Sequence, residues 1–321
     1  MLSTLLVVLP IFALIFAGWL ARRLGVLGAA ATTELNRFVV FLALPALLFD
    51  VTAHAHWSAI WKPGFIGAFG LSSLAVFALT VLIRRGQGRP LADAAVDGLN
   101  AGYANCGFMG FPLGLVAFGP EALAPITVAA IITVCGVFAV AIVLIETGLR
   151  REAAAAGRSG PRTPVWLAVG RSLIRNPLLV APALGALVPS AGLTLPASAE
   201  TFLKLLGGAA APCALVALGL FLAQTRRRPG ADRSGQGRVA ALLVGLKLAG
   251  HPLLAYGLGR YLFDLPPLLL HVAVLMAALP TGTGPFMLAE FYRREADLTA
   301  TVVLASTVLA VGTVSAYLAT L

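Results

Sequence analysis

The sequence predicts an all-α polytopic membrane protein of ten transmembrane helices, arranged as two five-helix halves of opposite orientation in which helices 4 and 9 are interrupted. Three observations predict it. Hydrophobic residues make up 59% of the 321 residues and charged residues only 11%, with a mean hydropathy of +0.94, whereas a soluble domain carries about 25% charged residues. Basic residues concentrate in alternate loops. Two apolar spans at corresponding places in the two halves are crowded with glycine and proline.

Apolar runs bounded by charge or turn residues place the helices at 2–21, 34–53, 64–83, 94–119, 121–147, 172–191, 196–225, 239–263, 268–292 and 298–321. Each approaches or exceeds the ~20 residues that a spanning helix needs. The first run has no basic segment before it and is followed directly by Arg22 and Arg23, so it is expected to stay as helix 1 rather than be removed as a signal. Of the 23 Lys and Arg residues, 18 fall in loops 1, 3, 5, 7 and 9, against Lys62, Lys204 and Arg260 on the other side. The positive-inside rule then puts those five loops in the cytoplasm and both termini outside. The net charge of +10 is thereby accounted for by orientation, and nucleic-acid binding is not expected.

The longest loop carries REAAAAGRSGPRTP and divides the chain into residues 1–147, a cytoplasmic linker at 148–169, and residues 170–321. Five helices is an odd number, so a second set must enter the membrane from the other side. An inverted repeat follows if the halves are related. Proline spacing agrees: Pro10, Pro45 and Pro112 are separated by 35 and 67 residues, and Pro177, Pro212 and Pro280 by 35 and 68.

The corresponding interrupted spans are GLNAGYANCGFMGFPLGLVAFG at 98–119 and AALPTGTGPFMLAEFY at 277–292. Glycine lowers helix propensity and proline removes a donor, which predicts breaks between Asn105 and Pro112 and around Pro280 to Pro285. Unpaired backbone at membrane depth is tolerated only inside protein or beside a watery cavity. Half-helices beginning near Phe111 or Pro112, and near Pro285, would turn unpaired N–H groups and about half a positive charge toward the break. That environment favours an anion. Asn105 adds an amide, and Thr281 and Thr283 add hydroxyls that can either cap the broken ends or meet the ligand.

Lys247, in GLKLAGHPLLAYG, lies deep in helix 8. An ionised side chain at the bilayer centre costs ~2.5–3.5 kcal/mol even on insertion scales, so it needs a partner. Backbone carbonyls at a break and the substrate itself are the two candidates, with a structural counter-charge as the leading role. His251, four residues on, shares its helical face and is expected to be an ordinary hydrogen-bonded residue, with proton coupling open. Asp50, Asp97, Glu146 and Glu290 fall near helix ends and are expected to be solvated. Cys106, Cys135 and Cys213 form no C-x-x-C pair and have no nearby histidine, so neither disulfides nor a metal site is indicated.

The stretches NRFVVFLALPALLF, NCGFMGFPLGLVAFG, SLIRNPLL, AAPCALVALG and ALPTGTGPFMLAEFY together resemble the auxin efflux carrier family over essentially the whole chain. The resemblance implies a five-plus-five inverted repeat related to bile-acid symporters and sodium/proton antiporters. Broken helices 4 and 9 would cross near Asn105, Pro112, Pro280 and Pro285. Helices 1, 2, 6 and 7 would form a scaffold and homodimer surface, and the other six an elevator. The long hydrophilic central loop of the plant carriers is missing, which makes a bacterial organic-acid permease of malonate type the closer match.

The expected function is a secondary transporter of a small organic anion, a mono- or dicarboxylate, in the bacterial plasma membrane. It is expected not to be an enzyme; a sodium-coupled bile-acid-type symporter is the alternative and a membrane enzyme a more distant one. Expected substrate contacts are Asn105, Cys106, Gly107 and Pro112 of helix 4, Pro280, Thr281, Gly282, Thr283 and Pro285 of helix 9, and Lys247 of helix 8. No cofactor and no metal are indicated, and the coupling ion stays open.

Overall fold

The computed structural model describes residues 2–28, 30–54, 61–157, 177–224 and 233–321. Most of the predicted linker, residues 172–176 of the SLIRNPLL stretch, and Arg158, Arg162, Arg171, Arg175 and Arg226 to Arg228 of the loop-charge pattern lie outside them. The described residues are helical throughout, apart from turns and one isolated bridge.

Among the described residues six helices are long and apolar enough to cross a membrane: α2 (Ala31–Ala53), α3 (Pro63–Gly86), α5 (Pro120–Ala155), α7 (Ala197–Ala223), α8 (Gly235–Leu262) and α10 (Ala296–Leu318). To these are added α1 (Leu2–Arg23) and the shorter apolar α6 (Pro177–Ser190). The two interrupted spans are each split. The first gives α4a (Leu91–Gly102) and α4b, a π turn Cys106–Gly110 running into Phe111–Phe118; the second gives α9a (Pro267–Ala278) and α9b (Gly284–Tyr292). Helix α5 continues to Ala155, so the first eight residues of the expected linker extend the helix; REAAAA at 151–156 has strong helix formers and no breaker before Gly157.

Three π turns share one sequence cause. Val39–Ala43, Cys106–Gly110 and Leu246–Gly250 each end two residues before a proline, at Pro45, Pro112 and Pro252. A proline lacks the N–H and its ring crowds the preceding turn. The wider π turn carries the chain into it without a break, and such bulges cluster at functional sites.

Packing divides the helices into two groups. Helix α1 lies along α7, and α6 along α2, which also touches α7. Glycine lets these helices meet at backbone distance: a Cβ on Gly18 would strike the carbonyl of Val216, one on Gly219 the carbonyl of Ile15, and one on Gly207 would sit 2.9 Å from Leu47 Cα. Gly219→Val is accordingly expected to destabilise the folded protein by about 1–3 kcal/mol or more through overpacking; a melting temperature in detergent equal to wild type would count against this crossing.

The second group comprises α3, α4, α5, α8, α9 and α10. In it α4a packs between α3 and α5, α9a against α8, and α10 against α8, α9 and α4a. Gly98 and Gly102 of α4a rest on Phe77 of α3, where an added Cβ would come within 2.9 and 3.0 Å of that side chain. The groups meet where α1 touches α4b and α10, and where α9b touches α2 and α7, with Phe41 on Phe291 and Phe221 on Phe286 edge to face. One end of the second group is tied by charge: Arg89 pairs with Asp93 and Glu295, and Arg294 with Asp93 and Glu152.

Candidate functional site

Helix α4a stops at Gly102 and Tyr103 turns extended, at φ −98° and ψ 99°. On the other span Leu279 is extended at φ −61° and ψ 150°, the conformation that a following proline imposes. The two extended pieces run antiparallel and pair. Asn105 N–H donates to the Pro280 carbonyl at 2.9 Å and Gly282 N–H to the Tyr103 carbonyl at 3.2 Å, with Ala104 opposite Thr281. Each break thus supplies the hydrogen bonds the other has lost, as membrane depth requires. The Tyr103 ring covers this pairing. A Cβ on Gly282 or Gly284 would lie 2.7 or 2.8 Å from it, so side chains there would displace the ring.

The first break falls at 103–105, ahead of the predicted interval between Asn105 and Pro112. Helix resumes at Cys106 rather than near Phe111, because the π turn absorbs Pro112. In α9b the start at Gly284 agrees with the prediction, since Pro285 occupies a first-turn position whose donor is unpaired in any helix. Four half-helix ends therefore meet at the crossing, the C-termini of α4a and α9a and the N-termini of α4b and α9b. Neither Asn105 nor Thr283 caps its own helix with its side chain.

The ten expected contact residues separate by accessibility. Asn105, Pro112 and Thr283 are half-buried and Gly107 is exposed, with nothing within 4 Å of where its Cβ would be. Cys106, Lys247, Pro280, Thr281, Gly282 and Pro285 are buried. Thr281 is committed inward: its hydroxyl donates to the Asn100 carbonyl at 2.7 Å and its N–H to Ser306 Oγ at 3.1 Å. Cys106 Sγ lies 3.7 Å from Thr133 Oγ1. The accessible polar surface of the crossing is therefore formed by Asn105, the Gly107 backbone and Thr283.

Lys247 meets one carbonyl at a break. Its ammonium donates to the Ala277 carbonyl at 2.6 Å, in the last turn of α9a, and to His251 Nδ1 at 3.0 Å. A cation there complements the negative end of the half-helix dipole. The chain of bonds also assigns the histidine tautomer. Ser73 Oγ gives its proton to the Phe69 carbonyl at 2.8 Å, so it accepts from His251 Nε2 at 3.1 Å. Nδ1 is left with a lone pair for Lys247, and the imidazole is neutral.

Sequence reasoning notes Asn100 as an amide of the interrupted span without giving it a role, and passes over Thr299, Ser306 and Tyr103. Asn100 Nδ2 donates to Thr299 Oγ1 at 3.0 Å, and both residues are fully buried. Isolated hydroxyls on the apolar α10 were the available signal, but the partner of Thr299 lies 199 positions away and that of Ser306 lies 25 positions away on another helix. Asp97 was expected to be solvated; it is fully buried and accepts from Arg84 Nε at 2.6 Å. Among the described residues no group of three His, Cys, Asp or Glu side chains is placed to hold a metal ion.

Comparison with known proteins identifies the family. The family model described as "Membrane transport protein" matches residues 4–318. A protein of Rhizobium meliloti described as "Putative malonate transporter" is 31% identical over 97% of this chain and 93% of its own length. An "Uncharacterized transporter" of Methanothermobacter thermautotrophicus is 30% identical over 94% of this chain and 93% of its own. The similarity to "Probable auxin efflux carrier component 1d" of Oryza sativa, 29% identical, covers 50% of this chain and 28% of that protein. With nearly the whole chain matched, the protein belongs to the membrane transport protein family that includes the auxin efflux carriers.

Proposed function

We propose that this membrane transporter is a secondary carrier of a small organic anion, a dicarboxylate of malonate's size, bound at the crossing of α4 and α9. The observation that carries the proposal is the crossing itself. Two half-helices begin there, each with a partly positive end, and Asn105, the Gly107 backbone and Thr283 supply accessible polar groups at the crossing. Malonate enters as the probe because it appears in the description of the Rhizobium relative.

The reading includes ten spans in two inverted repeats, both termini outside the bacterial plasma membrane, and alternating access by an elevator motion. The pairing of α1 with α7 and of α6 with α2 fits it, because a two-fold relation that exchanges the halves turns one pair into the other. Helices α1, α2, α6 and α7 serve as the scaffold and homodimer surface, and exposed apolar side chains such as Phe16, Leu184 and Phe202 suit contact with lipid or a second copy. The remaining helices move with the substrate.

The test is counterflow. Purified protein in liposomes loaded with unlabelled malonate should take up labelled malonate, with saturation and with competition by other short dicarboxylates. Malonate should also raise the melting temperature, since a ligand at a hundred times its Kd stabilises the folded state by about 2.7 kcal/mol. If no mono- or dicarboxylate produces counterflow or a thermal shift, the assignment of an organic anion is wrong.

A further inference from the structure

Helix α4a carries a file of buried polar side chains from the cytoplasmic charge cluster to the crossing. Asp93, Asp97 and Asn100 lie on it at successive turns, 7%, 0% and 0% exposed. Asp93 has both oxygens occupied, Oδ1 by Arg294 at 3.1 Å and Oδ2 by Arg89 at 3.1 Å. Asp97 does not. Its Oδ2 accepts from Arg84, while Oδ1 is fully buried and has no hydrogen-bond partner. Asn100 Oδ1, one turn nearer the crossing on the same face, is also buried and unpaired, although Nδ2 of the same amide is bonded. Buried polar atoms are almost always paired, and each exception calls for an explanation. Two buried acceptors a turn apart both need a partner that brings protons.

We propose that Asp97 is the proton-binding group that couples anion transport to the proton gradient; the proposal rests on the secondary-carrier reading above. A proton passed from hydronium in the aqueous phase past Asp93 breaks that O–H bond and forms one at Oδ1 of the buried carboxylate, while the Arg84 hydrogen bond at Oδ2 stays in place. Arg84 is held in place by a second bond, from Nη1 to Gln87 Oε1 at 2.5 Å. Protonation leaves the domain one unit more positive, which offsets one negative charge of the carried anion at a depth where charge is costly. The Asn100 backbone carbonyl accepts from Thr281, so the file reaches the pairing of the two breaks directly.

The charged groups around Asp97 are accounted for. Arg84 comes from α3, Arg89 from the loop before α4a, and Asp93 from α4a itself. On α5, Glu146 accepts from Tyr292 and Glu152 from Arg294. On α8, Lys247 is bonded to Ala277 and His251. Glu290 of α9b and Asp297 of α10 line a separate cytoplasmic cavity of about 410 Å³.

The experiment compares wild type with Asp97→Asn and Asp97→Glu in liposomes, using labelled malonate. Wild type is expected to accumulate malonate under an imposed pH gradient. Asp97→Asn should keep counterflow within about threefold and lose at least tenfold of the gradient-driven accumulation. Asp97→Glu should restore accumulation with a displaced pH profile. Should Asp97→Asn fail to fold, proton uptake on malonate binding to wild type in weak buffer decides: about one proton per malonate supports the proposal and none overturns it. Accumulation driven by a sodium gradient and indifferent to pH, or unchanged in Asp97→Asn, also overturns it and makes the pair a sodium site or a plain ion pair. Absence of counterflow in wild type would mark failure of the carrier reading itself, whereas counterflow with gradient-independent accumulation marks failure of the proton site alone.

Discussion

Asn105→Ala is expected to reduce malonate transport by about 10- to 100-fold while leaving the melting temperature near that of wild type. The backbone of Asn105 is committed, its N–H to the Pro280 carbonyl and its own carbonyl to Met109 N–H at 3.1 Å. Its side chain makes no cap bond and is half-buried beside the open space at Gly107. Alanine therefore preserves the crossing and deletes the amide. A hydrogen bond to a charged group contributes ~1.5–3 kcal/mol, which is the source of the expected range. Transport and thermal unfolding measured on the same preparation check it. Undiminished transport would remove Asn105 from the site, and a large drop in melting temperature would make it a structural residue.

Lys247→Gln should act in the opposite way, costing several kcal/mol of stability with little change in affinity for malonate in the protein that still folds. The wild-type ammonium is fully buried and serves two acceptors, the Ala277 carbonyl and His251 Nδ1. Glutamine is shorter and cannot serve both, and each orphaned buried acceptor costs ~1–3 kcal/mol. The cation at the α9a C-terminus is lost as well. Detergent-solubilised variant and wild type compared by thermal unfolding, with malonate titrated into each, provide the check. Normal stability with weakened malonate binding would instead place Lys247 against the substrate. The same contrast separates Asn105 from Thr281, whose hydroxyl is used inside the crossing rather than at its surface.

Much of this was legible in the residues. Leucine-rich runs, Arg22 and Arg23 closing α1, Arg84 and Arg85 closing α3, and the crowding of Gly and Pro in two spans are local signals, and each acts where it stands. Glycine and Pro112 predict the first break between Asn105 and Pro112, and it falls a few residues earlier, at 103–105. A π turn accommodates Pro112, and the break is made instead by the pairing of Tyr103, Ala104 and Asn105 with a segment 177 residues away. Asp97 was misjudged for a related reason. Its distance from the helix end predicts solvent, but Arg84 and the packing of α3, α5 and α10 around α4a enclose it.

By itself, then, the sequence determined that the chain lives in a membrane, where its breaks fall to within a turn or two, and that an amide and two hydroxyls stand near them. Hydropathy, helix propensity and the missing proline donor are properties of short segments, so they can be read without a fold. The tertiary structure decided which of those groups are available. Helix rotation is set by what packs on each face, and that left Asn105 and Thr283 partly accessible, turned Thr281 and Lys247 inward to satisfy carbonyls, and closed Asp97 away with one oxygen unpaired.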